Sequence, residues 1–82
     1  MKTVKLGLGN FTLAEKISVV SPPHSAPIQR AIQEANVRGK FYDLCGGRKR
    51  RAVIILDDGK VLSSIRKPET IISELAEVDT HE

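Results

Sequence analysis

Eighty-two residues allow one small domain and no second core, because domains cluster near ~100–150 residues. With 40% hydrophobic and 28% charged residues the composition is that of an ordinary globular domain, and no apolar run approaches the ~18 residues of a membrane span. The 13 basic and 10 acidic residues give a net charge of +3; the last nine residues hold four acids and no lysine or arginine, so residues 1–73 carry +7. The N-terminus has no apolar segment followed by small residues, which argues against export and for a cytoplasmic protein. The single cysteine, Cys45, cannot form an intramolecular disulfide, and with two distant histidines it offers no metal-ligand spacing, so no cofactor is implied. A chain this short buries only about 60–65% of its unfolded surface, and self-association is a natural way to cover more.

In chain order, Val4-Lys5-Leu6-Gly7-Leu8 alternates as a strand with one buried face, and Gly9-Asn10 turns the chain. Ile17-Ser18-Val19-Val20 is a second strand, ended by Ser21-Pro22-Pro23, and lies close enough in sequence to pair with the first. Ser25 is an N-cap and Pro27 suits the first turn of a helix whose Ile28, Ala31, Ile32 and Ala35 share one face; Gly39 ends it. Phe41-Tyr42-Asp43-Leu44 reads as a third strand. Ala52-Val53-Ile54-Ile55-Leu56 is apolar throughout, as a strand covered on both faces must be, and Asp57-Asp58-Gly59-Lys60 turns it into Val61–Ile65. Pro68 and Glu69 open a second helix with Ile71, Ile72, Leu75 and Val78 on one side. The order β-β-α-β-β-β-α, without repeats, predicts a single α+β domain with a small mixed or antiparallel sheet and two helices, its acidic end (residues 75–82) frayed.

Most constellations that suggest chemistry fail on spacing. Gly7-x-Gly9 has Thr12 where a third glycine belongs and no long helix after it, and Gly46-Gly47-Arg48-Lys49 lacks the spacing and the Ser or Thr of a phosphate-binding loop. Cys45 sits beside four cations but has no base near it in sequence, since His24 lies in the proline-rich turn and His81 in the tail. The adjacent carboxylates of Asp57-Asp58 diverge in an extended chain, and Gly59 makes them a turn. No enzyme and no small-molecule substrate follow from these residues.

Arg48-Lys49-Arg50-Arg51 is the informative feature, a dense positive field after two glycines that free the backbone. Such a run is either a solvated loop or a polyanion contact; a targeting address is disfavoured by its place between two strands. With an extended backbone, Arg48 and Arg50 point one way and Lys49 and Arg51 the other, about two phosphate contacts per face. So few contacts bind DNA weakly unless an oligomer repeats them. Only Phe11, Phe41 and Tyr42 are available for base stacking, which favours duplex DNA over single strands. The alternative from another class is an oligomeric scaffold that docks an acidic protein through the same basic loop.

Gly7-x-Gly9-Asn10, Ile17–Val20, Ser21-Pro22, Ser25-Ala26-Pro27-Ile28, Gly47-Arg48-Lys49 with Arg51-Ala52-Val53-Ile54, and Pro68-Glu69-Thr70 together resemble the bacterial RemA family of extracellular-matrix (biofilm) regulators. The resemblance runs collinearly from about Val4 to Leu75. It implies a DNA-binding transcriptional activator of matrix genes that assembles into a homo-oligomeric ring, wraps duplex DNA and associates with the nucleoid. Carried over by position, the DNA contacts are Arg48, Lys49 and Arg51, with Lys16 on the segment entering the second strand; Pro27 supports the helix start. Arg50 stands where the family commonly has threonine and is expected to add a further phosphate contact, and Tyr42-Asp43-Leu44-Cys45 replaces the usual small residues.

Overall fold

The computed structural model describes residues 2–79. In chain order these form β1 (Thr3–Gly7), β2 (Asn10–Leu13), one 3-10 turn (Ala14–Lys16), β3 (Ile17–Ser21), α1 (Ala26–Val37), β4 (Phe41–Asp43), β5 (Ala52–Leu56), β6 (Val61–Ser64) and α2 (Pro68–Asp79). The main sheet has the order β3-β5-β6-β4, and β1 and β2 form a separate hairpin. β5 is antiparallel to both β3 and β6, whereas β4 is parallel to β6. The two edge strands, β3 and β4, therefore run in the same direction, and α1 carries the chain from one edge to the other.

The unbroken apolar run of β5 divides by alternation between two cores. Ala52 and Ile54 join Leu62, Val4 and Leu6 of the hairpin, and Ile71 of α2; Val53 joins Val61 with Ile32 and Ala35 of α1. The molecule is thus three layers, α1 on one face of the sheet and the hairpin with α2 on the other. Helix α1 is bounded as its sequence requires. Ser25 Oγ accepts from the Ile28 N–H, and beyond the helix the Gly39 N–H bonds to the Asn36 carbonyl and the Lys40 N–H to that of Ala35. These last two bonds make a Schellman end.

The structure corrects several expectations. The element order gains a strand, because the chain reverses at Gly7-Leu8-Gly9, with φ values of 95°, 57° and 80°, and returns as β2. Leu8, read as the end of a strand, is instead the tip of this hairpin and 48% exposed. The first strand accordingly pairs with β2 and not with the Ile17 strand, which pairs with β5 across a bulge between Ile17 and Val19. In α2, Ile71 is fully buried while Ile72, about 100° further round the helix, is 50% exposed. Helix α2 is described to Asp79, with Leu75 packed against the core; the side chains of Val78 and Asp79 and the rest of the tail expected to fray, 80–82, lie outside the described residues.

Polar bonds lock the hairpin to the sheet. The buried Ser64 hydroxyl donates to the Leu6 carbonyl at 2.7 Å and accepts from the Arg66 N–H at 3.0 Å. Arg66 then donates to the Lys5 carbonyl at 3.0 Å and meets Glu74 at 2.7 Å, and Glu74 accepts the Lys5 N–H at 3.3 Å. Lys5 thus has both backbone groups satisfied by side chains on the edge of β1 away from β2. Replacing Ser64 by Ala leaves the buried Leu6 carbonyl unpaired, so chemical denaturation should show a loss of about 1–3 kcal/mol for Ser64→Ala with no change in far-UV spectrum.

Candidate nucleic-acid interface

The basic run lies in the loop between β4 and β5, and residues on β4 and β6 shape it. Asp43, the last residue of β4, bends the chain back by accepting the Cys45 N–H at 3.1 Å. The same carboxylate oxygen accepts the Ser63 hydroxyl at 2.7 Å, and Ser63 Oγ accepts the Leu44 N–H at 3.1 Å. Cys45 is buried against this hydroxyl, Sγ to Oγ 3.5 Å, and so acts as a small anchor beneath the loop. Gly46 and Gly47 follow at φ 58° and 84°. A Cβ on Gly46 would come 3.0 Å from Leu8 Cδ1 at the hairpin tip, which would have to shift slightly, so it is the positive φ that favours glycine there. The Arg48 N–H closes a turn onto the Cys45 carbonyl, and the Arg51 N–H bonds to the Ser64 carbonyl, where pairing with β6 resumes.

The run thus begins in the Cys45–Arg48 turn, and beyond it Lys49, Arg50 and Arg51 read exposed, half-buried and exposed. Arg48, Lys49 and Arg51 are exposed and form no salt bridge among the described residues. Arg50 is half-buried: its guanidinium lies 5.2 Å from the centre of the Phe41 ring, within cation–π range, and its buried Nε has no hydrogen-bond partner among the described residues. Its charge also lies close enough to favour the ionised form of Asp43. Three side chains of the run are thus exposed, while the fourth lies against Phe41 of β4.

Lys16 is not part of this cluster. It is exposed at the end of the 3-10 turn, and its carbonyl accepts the Asp57 N–H at 2.8 Å, which places it beyond the C-terminal end of β5. Arg51 precedes the other end, so the two are separated by the length of the strand, roughly 17–20 Å at ~3.3 Å per residue. Of the aromatic residues, Phe11 and Tyr42 are 57% and 45% exposed, whereas Phe41 lies beneath Arg50. Pro27 stands in the first turn of α1, as a support of the helix start should. Asp57 and Asp58 form the β5–β6 turn, where Asp58 accepts the Lys60 N–H. Among the described residues no group of three or more His, Cys, Asp or Glu could hold a metal ion, and no helix is long and apolar enough to cross a membrane.

A profile of the family described as "Extracellular matrix regulatory protein A-like" matches residues 3–75. The chain belongs to the RemA-like family. Relatives named "Putative regulatory protein" include one from Dictyoglomus thermophilum, 39% identical over 82 residues that cover all of this chain and 96% of the relative. Another, from Geobacillus thermodenitrificans, is 44% identical over 75 residues covering 92% and 86%. A protein from Dehalococcoides mccartyi strain BAV1 is 40% identical over 76 residues covering 93% and 79%. These names denote regulators rather than enzymes, and a regulatory role follows for this RemA-like chain.

Asp43 and Ser63 were not among the candidate residues from sequence. The backward turn of Asp43 onto Cys45 is a local signal, but its bond to Ser63 spans 20 positions and has none. The Ser63 hydroxyl, then the Cys45 N–H, hold the Asp43 carboxyl below its ordinary value of 3.8, with Arg50 adding to the effect. Because the folded value is depressed, the stabilisation from these bonds is complete above the unfolded value and is lost as the pH falls through the folded one. Denaturation followed between pH 5 and pH 2 should show the wild type losing stability on acidification below about pH 4 more steeply than Asp43→Asn, which cannot titrate there.

Proposed function

We propose that this RemA-like protein regulates transcription of extracellular-matrix genes by binding duplex DNA through the β4–β5 loop, repeated around a homo-oligomeric ring. The observation that carries this reading is that three exposed cations, Arg48, Lys49 and Arg51, stand together without salt-bridge partners among the described residues, on a loop pinned to the sheet. Free cations on a held backbone suit phosphate contact, because little side-chain pairing has to be broken and the loop does not have to be ordered on binding. Three contacts per copy remain too few for tight binding at physiological salt, and that is the reason for repetition.

Within this reading Arg50 supports the loop rather than touching phosphate, since its guanidinium is engaged with Phe41. Lys16 supplies a separate contact, about half a helical turn of B-DNA away from the loop. Phosphate contacts position the duplex without reading its bases, so binding discriminates through DNA shape and deformability.

Fluorescence anisotropy of a labelled duplex, titrated at several salt concentrations, tests these roles. Arg48→Ala and Arg51→Ala should each weaken binding similarly across sequences and lower the slope of log K against log salt by about 0.9 for each phosphate the variant no longer neutralises. Arg50→Ala should weaken binding while leaving that slope nearly unchanged. Absence of wild-type binding at low salt, or an unchanged slope in the Arg48 and Arg51 variants, overturns the reading. Capture of an acidic protein by the same loop would then take its place.

A further inference from the structure

Three strands finish where the basic loop stands. Because β3 and β6 are antiparallel to β5 and β4 is parallel to β6, all three run toward the end of the sheet at which β5 begins. Residues 48–51 lead into β5 at that end, and both helices also start there, α1 after β3 and α2 after β6. The positive ends of two helix dipoles thus lie at the end that carries the cations of the loop. The opposite end is electrically mixed. There Lys60 is paired with Asp58 at 3.6 Å, and the Lys40 ammonium donates to the Asp58 carbonyl at 3.5 Å. Lys16 has Glu15 beside it, and its carbonyl accepts the Asp57 N–H.

One further cation belongs to the loop end. From Ser64, whose carbonyl accepts the Arg51 N–H at 2.9 Å, the chain passes through Ile65 and Arg66 to Lys67. Three residues span at most about 11 Å even when fully extended, so Lys67 stays near the point where the loop rejoins the sheet. The hairpin tip links the same pieces. A Cβ on Gly7 would lie 2.7 Å from Ile65 Cγ1 and 3.6 Å from Arg66 Cγ, and the neighbouring Leu8 is the residue that a Cβ on Gly46 would meet. The backbone holds Lys67 and leaves its side chain free: its carbonyl accepts the Thr70 and Ile71 N–H groups at 3.1 and 3.2 Å, at the start of α2. The residue is exposed, and its ammonium makes no salt bridge among the described residues. Of the acids at this end, Glu74 is committed to Arg66 and Asp43 to Ser63 and the Cys45 N–H. Glu69, two positions on, makes no salt bridge among the described residues.

We propose that Lys67 is a further phosphate contact, presented at the start of α2 beside the β4–β5 loop, so that the duplex meets the loop end of the sheet across two elements. An ammonium on a flexible stem suits this role, because it meets a phosphate as a point charge and needs no fixed geometry. The contact adds a fourth cation to the three of the loop in each copy, which strengthens a surface otherwise short of contacts. The proposal rests on the duplex-binding reading above and deepens it with a residue that the basic run does not contain.

Anisotropy of a labelled duplex over a salt series, with Lys67→Gln, Lys67→Arg, Lys40→Gln and Arg48→Ala in the full chain, tests this contact. Lys67 supports the fold through its carbonyl alone, so its variants should keep the wild-type far-UV spectrum. Lys67→Gln should lower the slope of log K against log salt by about 0.9 for each phosphate no longer neutralised, as Arg48→Ala does, whereas Lys67→Arg should keep the wild-type slope. Lys40→Gln, an exposed cation at the opposite end, should leave the slope unchanged. A wild-type slope in Lys67→Gln, beside a lowered one in Arg48→Ala, overturns the Lys67 contact and leaves the loop as the DNA surface. An equal fall in Lys67→Gln and Lys40→Gln also overturns it, because the loss then follows net charge and not position. A wild type that does not bind duplex at low salt removes the reading on which the contact rests.

Discussion

Ser63 and Ser64 stand next to each other at the end of β6, both fully buried and directed to opposite faces of the sheet. A hydroxyl withdrawn from water must find hydrogen-bond partners inside the protein, and each of these finds them where the sheet meets another segment, Ser64 at the hairpin and Ser63 at the end of β4 where the loop begins. Ser64 reaches the Leu6 carbonyl and so ties down the β1–β2 hairpin. Ser63 reaches Asp43 and the Leu44 N–H and so sets the course of the basic loop. Apolar packing alone would hold both segments against the sheet without fixing their orientation, because it has no preferred direction. The two hydroxyls provide that direction, and the hairpin tip and the loop then meet at Leu8 and Gly46.

That polar frame explains how a run of four cations is sorted. Four like charges on a mobile loop would spread apart and sample many arrangements. Here the turn at Asp43, the buried Cys45 and the resumed pairing at Arg51 leave a short span between fixed points, and one of its residues turns inward onto Phe41. The inward arginine places its positive charge near the Asp43 carboxylate, so the charge that would otherwise add to the repulsion helps to keep the anchoring carboxylate ionised. The proposed phosphate contact is thereby left with three outward side chains whose orientation derives from the sheet.

Much of the fold was legible because it is local. The apolar run of β5, the Asp-Asp-Gly turn after it, and the Ser25 cap, Pro27 and Gly39 of α1 each state their conformation within a few residues. The strand β2 was hidden because a leucine at positive φ makes the turn between two glycines, and nothing in a leucine announces that conformation. Strand partners were hidden for a different reason. β1 and β3 are both short and half-apolar, and only the demand of β5 for cover on both edges decides that β3 pairs with it while β1 folds over the face. At the site, the identity of Arg48, Lys49, Arg50 and Arg51 was plain from sequence, whereas the inward turn of Arg50 and the distance of Lys16 from the loop were not.

The sequence by itself determined the charge cluster and its glycine hinge, the two amphipathic helices, the strand that must be central, and family membership through its collinear motifs. These depend on residue type and short-range spacing, which a chain carries before it folds. The tertiary structure alone decided which cations face water and which edges of the sheet are left bare, as well as which buried hydroxyls order the loop. Those outcomes depend on contacts between residues 9 to 69 positions apart, such as Arg50 with Phe41, Asp43 with Ser63 and Lys5 with Glu74, and such contacts exist only once the sheet has brought the segments together.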